Sequence, residues 1–119
     1  MMPLPAVARR DRIAAGQAAF TLVPGAGHPA FAGHFPGDPV LPGVVQVDWA
    51  VRLAREAFGP LGGFRGLDQA KFLRPARPGE ALELRLALDR GADALRLRFQ
   101  YQGPAGRVSS GTVRFQLPL

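Results

Sequence analysis

The chain has 119 residues, of which 47% are hydrophobic, and this is enough for one domain with an apolar core. The absence of cysteine excludes disulfides, thiolate metal ligands and a thiol nucleophile. The formal net charge of +6 comes mainly from arginine. We favour a genomic base composition that enriches arginine as its explanation, and an acidic binding partner is the alternative. Nucleic acid is not predicted as that partner, because the arginines are scattered and no aromatic-basic motif accompanies them.

The first residues carry no structural pattern. We expect residues 1–15 to be a loosely ordered leader of a single domain that spans residues 1–119. No apolar stretch near Arg9, Arg10 and Arg12 is long enough for a signal peptide. Because no apolar run reaches about 18 residues, no transmembrane helix is expected. The sequence therefore predicts a cytoplasmic protein without membrane contact.

A strand, a loop and a helix follow. Residues 18–23 predict the first strand, and the proline- and glycine-rich residues 24–42 predict a loop. Residues 43–58 predict a helix whose first three turns are apolar on every side, which is typical of a buried helix. Gly59-Pro60 ends it.

The second half of the chain predicts antiparallel strands. Apolar and polar residues alternate with period two, which is typical of strands with one buried face. The alternating segments are residues 82–89, 95–101 and 112–117, with another strand over residues 66–73. Short links at residues 90–93 and 103–106 pair consecutive strands as a meander.

These elements predict an α+β fold. A single apolar helix and a twisted antiparallel sheet with one apolar face bury both surfaces when the sheet wraps around the helix. That arrangement is the hotdog architecture. The alternative is another α+β sandwich with one covering helix.

Two side chains suggest proton transfer. His34 lies in a loop stiffened by glycine and proline, and loops of this kind often position functional side chains, although a loop histidine bonded to local carbonyls is the simpler interpretation. Asp48 lies 14 residues later inside the apolar helix. We expect it to be buried, so it is either a structural acid with a partner or a protonated carboxyl that can donate a proton.

The predicted helix N-terminus supplies a third feature. Gly43 follows Pro42, and the free N–H groups of Gly43 and Val44 are suited to a developing oxyanion. Gln46, Trp49 and Phe72 are candidates for the wall of a substrate channel, with core packing the simpler role for the aromatic residues. The following basic side chains form a solvated edge or a docking patch for an acidic carrier: Arg65, Lys71, Arg74 and Arg77.

One stretch resembles a known family. Gly33-His34-Phe35-Pro36-Gly37, then Pro42-Gly43, then the acid Asp48 resemble the active-site segment of the β-hydroxyacyl-acyl-carrier-protein dehydratases, which have the hotdog fold. Residues 70–80 also resemble the family's strand and turn after the helix. Within the family, residues 44–50 are most similar to the small dehydratases of aryl-polyene-type clusters. Aspartate rather than glutamate at the acid position leaves isomerase activity open.

The resemblance implies a reaction. A 3-hydroxyacyl thioester on the phosphopantetheine arm of an acyl carrier protein would lose water, as in fatty-acid or polyene biosynthesis, without a cofactor or metal. His34 would remove the C2 proton, the Gly43 N–H would polarise the carbonyl, and Asp48 would protonate the departing hydroxyl. Phe35 would join the substrate-binding residues. The resemblance also implies a homodimer in which His34 of one chain and Asp48 of the other share a site.

Two other functions remain open. A hotdog thioesterase would use Asp48 to activate water and cleave the same thioester. A non-catalytic acyl-binding subunit would need neither His34 nor Asp48 for its role.

Overall fold

The computed structural model of the chain describes residues 2–32 and 37–117. Within these residues, one long helix, α1, and one short 3-10 helix, η1, accompany six strands. Their bounds are β1 Ala6–Ala14, β2 Gln17–Val23, η1 Pro29–Phe31, α1 Gly43–Phe58, β3 Phe64–Phe72, β4 Leu82–Arg90, β5 Leu95–Gly103 and β6 Gly106–Phe115.

The strands form a single antiparallel sheet. Their order is β1-β2-β4-β5-β6-β3, so β4, β5 and β6 make the predicted meander and β3 closes the far edge against β6. The leucines of β4 and β5 alternate as predicted, with Leu84 and Leu97 completely buried. The helix α1 packs one face on β4 and β5, and its buried side chains join the core of the sheet. The predicted hotdog arrangement is confirmed.

The expectation of a loose leader is wrong, because residues 6–14 form the edge strand β1. Its register places Asp11 opposite Ala19 of β2, and a two-residue turn at Gly16, whose φ is +71°, joins the two strands. The arginines of β1 also reach the end of α1: Arg10 pairs with Glu56 at 2.9 Å. Backbone pairing with β2 and these polar contacts stabilise β1. The strand lacks the alternation of apolar and polar residues from which strands are predicted.

The helix has the predicted bounds but not the predicted surroundings. Trp49 and Leu53 are fully buried against the sheet, whereas Val44 is 77% exposed. The sheet covers only one face of α1 in a single chain, so the expectation of a helix buried on all sides is wrong. Apolar side chains of β3 are exposed as well, and Phe72 among them lies against Gly43 at the start of α1: Phe64, Leu67 and Phe72. We call Val44 and these three β3 residues the apolar strip.

Candidate functional site

The N-terminus of α1 presents two backbone donors that no described residue accepts from. Pro42 is the N-cap, and its carbonyl accepts from the N–H groups of Val45 and Gln46 at 3.1 and 3.2 Å. The N–H groups of Gly43 and Val44 have no hydrogen-bond partner among the residues that the structure describes. Unpaired N–H groups at the positive end of a helix dipole are suited to hold an anionic oxygen. The chemistry predicted for Gly43 and Val44 is thus available to them.

An aromatic wall lies beside these donors. Phe72, at the end of β3, packs its ring on the Cα of Gly43, and a Cβ at that position would lie 2.7 Å from the Phe72 Cε1. The Phe72 side chain is half exposed, so it belongs to the surface around the helix start rather than to the core. The structure therefore brings two of the predicted substrate-binding residues together, with polar donors next to an apolar ring.

The loop before α1 is anchored at its described end. The Leu41 N–H donates to the Ala76 carbonyl at 2.8 Å, and the Arg77 Nε donates to the Asp38 carboxylate at 3.1 Å. The Arg77 guanidinium lowers the pKa of the Asp38 carboxyl, first through this hydrogen bond and then through its charge. Both contacts tie residues 37–41 to the connection between β3 and β4. Arg77 is thus engaged within the chain rather than free for a carrier.

Gln46, a candidate for the wall of the substrate channel, is held by contacts within this chain. The side chain is buried, its Nε2 donates to the Leu41 carbonyl at 3.1 Å, and its Oε1 accepts from the Ser109 hydroxyl at 2.6 Å. The Gln46 carbonyl also accepts from the Tyr101 hydroxyl at 2.7 Å. Burial raises the pKa of Tyr101 well above its ordinary range, and the charge of Asp48 adds to the shift. Gln46 therefore joins the loop, β5 and β6 to the first turn of α1.

Asp48 is not buried as expected. Its side chain is 44% exposed, and its carboxylate lies 3.3 Å from the Arg52 guanidinium one turn later. The Arg52 guanidinium also donates to the Met2 carbonyl. Asp48 follows Val44 by four residues, so both project from the uncovered face of α1. The Asp48 carboxylate is thus accessible to a partner or a substrate. The four-residue spacing of Asp48 and Arg52 was a signal in the sequence for their ion pair.

Two predicted site residues, His34 and Phe35, lie outside the described residues. The chain reaches them from η1, whose Ala30 and Phe31 are buried in the core. The imidazole of His28 caps η1 by accepting from the Ala30 N–H at 3.0 Å. Sequence reasoning gave His28 no role, although a polar residue directly before Pro29 is a signal for a helix N-cap.

The remaining basic candidates are spread over the surface. Arg65, Lys71 and Arg74 are exposed, and Arg74 lines a cleft of about 120 Å³ beside the turn between β5 and β6. A larger groove of about 680 Å³ is lined by residues of all six strands and includes Lys71. Neither Gly43 nor Asp48 lines this groove. It is an open surface, and we assign it no part in the site.

The described residues contain neither a metal-binding cluster nor a membrane-spanning helix. No group of three or more histidine, aspartate or glutamate side chains is arranged to hold a metal ion there. None of the helices in that part of the chain has the length and apolar character needed to cross a membrane.

Comparison with known sequences gives consistent matches. The family model described as ApeI-like, ApeI dehydratase, matches residues 10–112. The 3-hydroxyacyl-acyl-carrier-protein dehydratase FabZ of Herpetosiphon aurantiacus is 40% identical over 92 residues, covering 71% of this chain and 62% of that protein. FabZ of Alkaliphilus metalliredigens is 41% identical over 76 residues, covering 56% and 52%. The chain thus spans about half to three fifths of the length of these relatives.

Solved structures share the fold. The dehydratase heterocomplex ApeI:P from Xenorhabdus doucetiae superposes with a TM-score of 0.85 and 30% identity, covering 95% of this chain and 98% of that one. A hypothetical thioesterase with coenzyme A from Streptococcus pneumoniae has a TM-score of 0.69 at 11% identity, covering 92% and 84%. The second likeness concerns the fold alone.

Proposed function

Because the chain belongs to the ApeI-like dehydratase family, we propose that it removes water from 3-hydroxyacyl thioesters carried on an acyl carrier protein. The observation that carries the proposal is the start of α1, where the N–H groups of Gly43 and Val44 have no partner among the described residues and the Phe72 ring lies against Gly43. A thioester oxygen gains negative charge when the neighbouring C2 proton leaves, and fixed N–H donors stabilise that charge.

The proposed reaction is an elimination. His34 takes the C2 proton, the electron pair forms the C2–C3 double bond, and the C3 hydroxyl leaves as water with a proton from Asp48. The Gly43 N–H, assisted by that of Val44, holds the thioester oxygen. Proton return from His34 to Asp48 through solvent restores the starting state. No cofactor takes part in these steps.

The apolar strip supports a dimer. Val44 and the exposed β3 residues form a surface that a second copy would cover, and Asp48 lies on the same uncovered face of α1. We propose a homodimer in which Asp48 of one chain meets His34 of the other. The similar ApeI:P is a heterocomplex, so a related second protein is the alternative partner.

The carrier would dock on basic side chains near the site. Arg65, Lys71 and Arg74 are exposed, and an acidic carrier complements their charge. Arg77 contributes less in this proposal, because Asp38 already pairs with its guanidinium. The pathway that we propose is a fatty-acid-like or polyene biosynthesis. The cytoplasmic location stays a prediction from the sequence.

Intact mass spectrometry of 3-hydroxyacyl-loaded carrier protein tests the function. Wild type should remove one water and leave the acyl group attached, and His34→Ala should remove none. Loss of the whole acyl group would instead indicate a thioesterase, for which the half-exposed Asp48 carboxylate is a suitable base to activate water. No mass change with any acyl chain length would indicate a non-catalytic subunit.

A further inference from the structure

The imidazole of His28 and the indole of Trp49 share one acceptor. The His28 Nε2 lies 3.0 Å and the Trp49 Nε1 lies 3.1 Å from the Pro3 carbonyl oxygen. The two rings meet edge to face, with centroids 5.2 Å apart. This contact joins three separate parts of the chain: the segment before β1, the residue that precedes η1, and the middle of α1.

The other nitrogen of His28 determines its tautomer. Its Nδ1 accepts from the Ala30 N–H at 3.0 Å, and a backbone N–H can only donate. The Pro3 carbonyl can only accept, so Nε2 must carry the hydrogen. The neutral Nε2–H tautomer satisfies both contacts at once. Both nitrogens of His28 are therefore committed to the backbone, and His28 itself has no nitrogen left for proton transfer to a substrate.

We infer that His28 is a positioning residue. By anchoring η1, it sets the point from which the chain enters the segment that contains His34. This inference rests on the proposed function. The capped turn holds Ala30 and Phe31 in the core, and His34 follows Phe31 by only three residues in the sequence. The far end of the loop is held separately by the hydrogen bond between Leu41 and Ala76. The His28 contacts supply the matching anchor on the near side.

The position of Asp48 depends on the same segment before β1. Trp49, the next residue of α1, is fully buried and bound to Pro3, while Arg52 joins the Met2 carbonyl to the Asp48 carboxylate. Residues 2–3 therefore link the part of the chain that leads to His34 with the helix turn that carries Asp48. In the proposed dimer each chain gives His34 to one site and Asp48 to the other, so a shift of the His28 anchor would displace His34 from the Asp48 of the second chain. Misplacement by about 1 Å can cost about 100-fold in rate.

Three proteins test the inference: wild type, His28→Ala and His28→Asn. We expect His28→Ala to lower kcat by about 10- to 100-fold while KM stays within about twofold, because binding groups remain and only the approach of the base changes. Asparagine is a strong N-cap residue whose side-chain oxygen can accept from the Ala30 N–H. His28→Asn should therefore recover most of kcat. A merely structural histidine predicts equal losses in both variants, in step with their melting temperatures.

A spectroscopic measurement independent of activity accompanies the kinetics. The ¹⁵N shifts of the His28 ring in wild type should report a single Nε2–H tautomer, and the Ala30 amide should exchange faster in His28→Ala than in His28→Asn. A mixture of tautomers, or an unchanged kcat in His28→Ala, would overturn the role of His28 while a dehydrating wild type keeps the proposed function. If wild type does not dehydrate, the proposed function fails and the positioning role fails with it.

Discussion

The ring of Phe72 lies on the Cα of Gly43, at a distance that leaves no room for a side chain. A Cβ would meet two ring carbons, Cε1 and Cζ, at 2.7 and 2.9 Å. This relationship joins the end of β3 to the first residue of α1. It places an apolar surface next to the two free N–H groups, and it explains why the helix starts with glycine although other residues favour helices more.

Gly43→Ala should impair the reaction more than the fold. The added methyl group displaces the Phe72 ring, which is half exposed and can move, so the protein should remain folded. The ring would then move away from the donors, and we expect kcat/KM to fall by about tenfold or more. Gly25→Ala is the matched control, because a Cβ there meets nothing within 4 Å. Equal activity of both variants would contradict a role for the Phe72 ring beside these donors.

Asp48→Asn should keep the fold and lose activity. The side chain is half exposed, and the amide oxygen can still accept from Arg52, so the melting temperature should change by only a few degrees. Loss of the proton donor should lower kcat by about 100- to 10,000-fold. Glu56→Gln is the control, because Glu56 lies on the same helix, has the same 44% exposure and pairs with Arg10 of β1. Unfolding of Asp48→Asn would show that the acid is structural.

Gln46→Leu should destabilise the protein. The substitution leaves the Ser109 hydroxyl and the Leu41 carbonyl without their partner in a buried site, which costs about 1–3 kcal/mol for each group. Urea unfolding at a fixed protein concentration measures the loss. The exposed Gln102→Leu should change the free energy of unfolding by less than about 0.5 kcal/mol. A raised KM with unchanged stability would instead indicate that Gln46 lines the substrate channel.

The ion pair of Asp38 and Arg77 gives a prediction about pH. Arg77 lowers the pKa of Asp38 in the folded protein, so the pair stabilises the loop above the unfolded value of about 3.9. That contribution is lost as the pH falls through the lower folded value. An NMR titration of the Asp38 carboxyl should show a midpoint below about 3.9 in wild type and near it in Arg77→Gln. Identical midpoints in the two proteins would show that the pair does not form in solution.

Phe64→Glu should break the proposed dimer. Phe64 lies in the apolar strip on β3, where a buried carboxylate without a partner would be costly. We expect light scattering after gel filtration to report two chains for wild type and one for the variant. Ile13→Glu is the control, because Ile13 is an exposed apolar residue on the opposite edge strand β1. Dissociation by both substitutions, or by neither, would contradict the assignment of the strip.

Local sequence patterns predicted most of the architecture. Residues 43–58 and the alternating leucines of β4 and β5 carry their own periodicity, so α1 and the meander were predictable. β1 was missed because its stability comes from pairing with β2 and from contacts such as Arg10 with Glu56, which no local pattern encodes. The periodicity of a segment does not identify the distant strand or side chain with which that segment pairs.

The candidate site was predictable in chemistry but not in environment. The free N–H groups at Gly43 follow from any helix that starts there. The prediction that Asp48 is buried was wrong, because a run of apolar residues does not reveal which face of the helix the sheet leaves uncovered. The network of His28 with Pro3 and Trp49 depends on residues 25 and 46 positions away from Pro3, so only the folded structure brings it together.

The most direct test of dehydratase activity approaches its equilibrium from both sides. Carrier protein loaded with 3-hydroxyacyl groups and carrier loaded with trans-2-enoyl groups are incubated separately with wild type, and intact masses are followed over time. The proposed function predicts that both samples converge on the same ratio of hydroxyacyl to enoyl thioester, with every acyl group still attached. Release of free acid from either sample, or two ratios that never change, would contradict it.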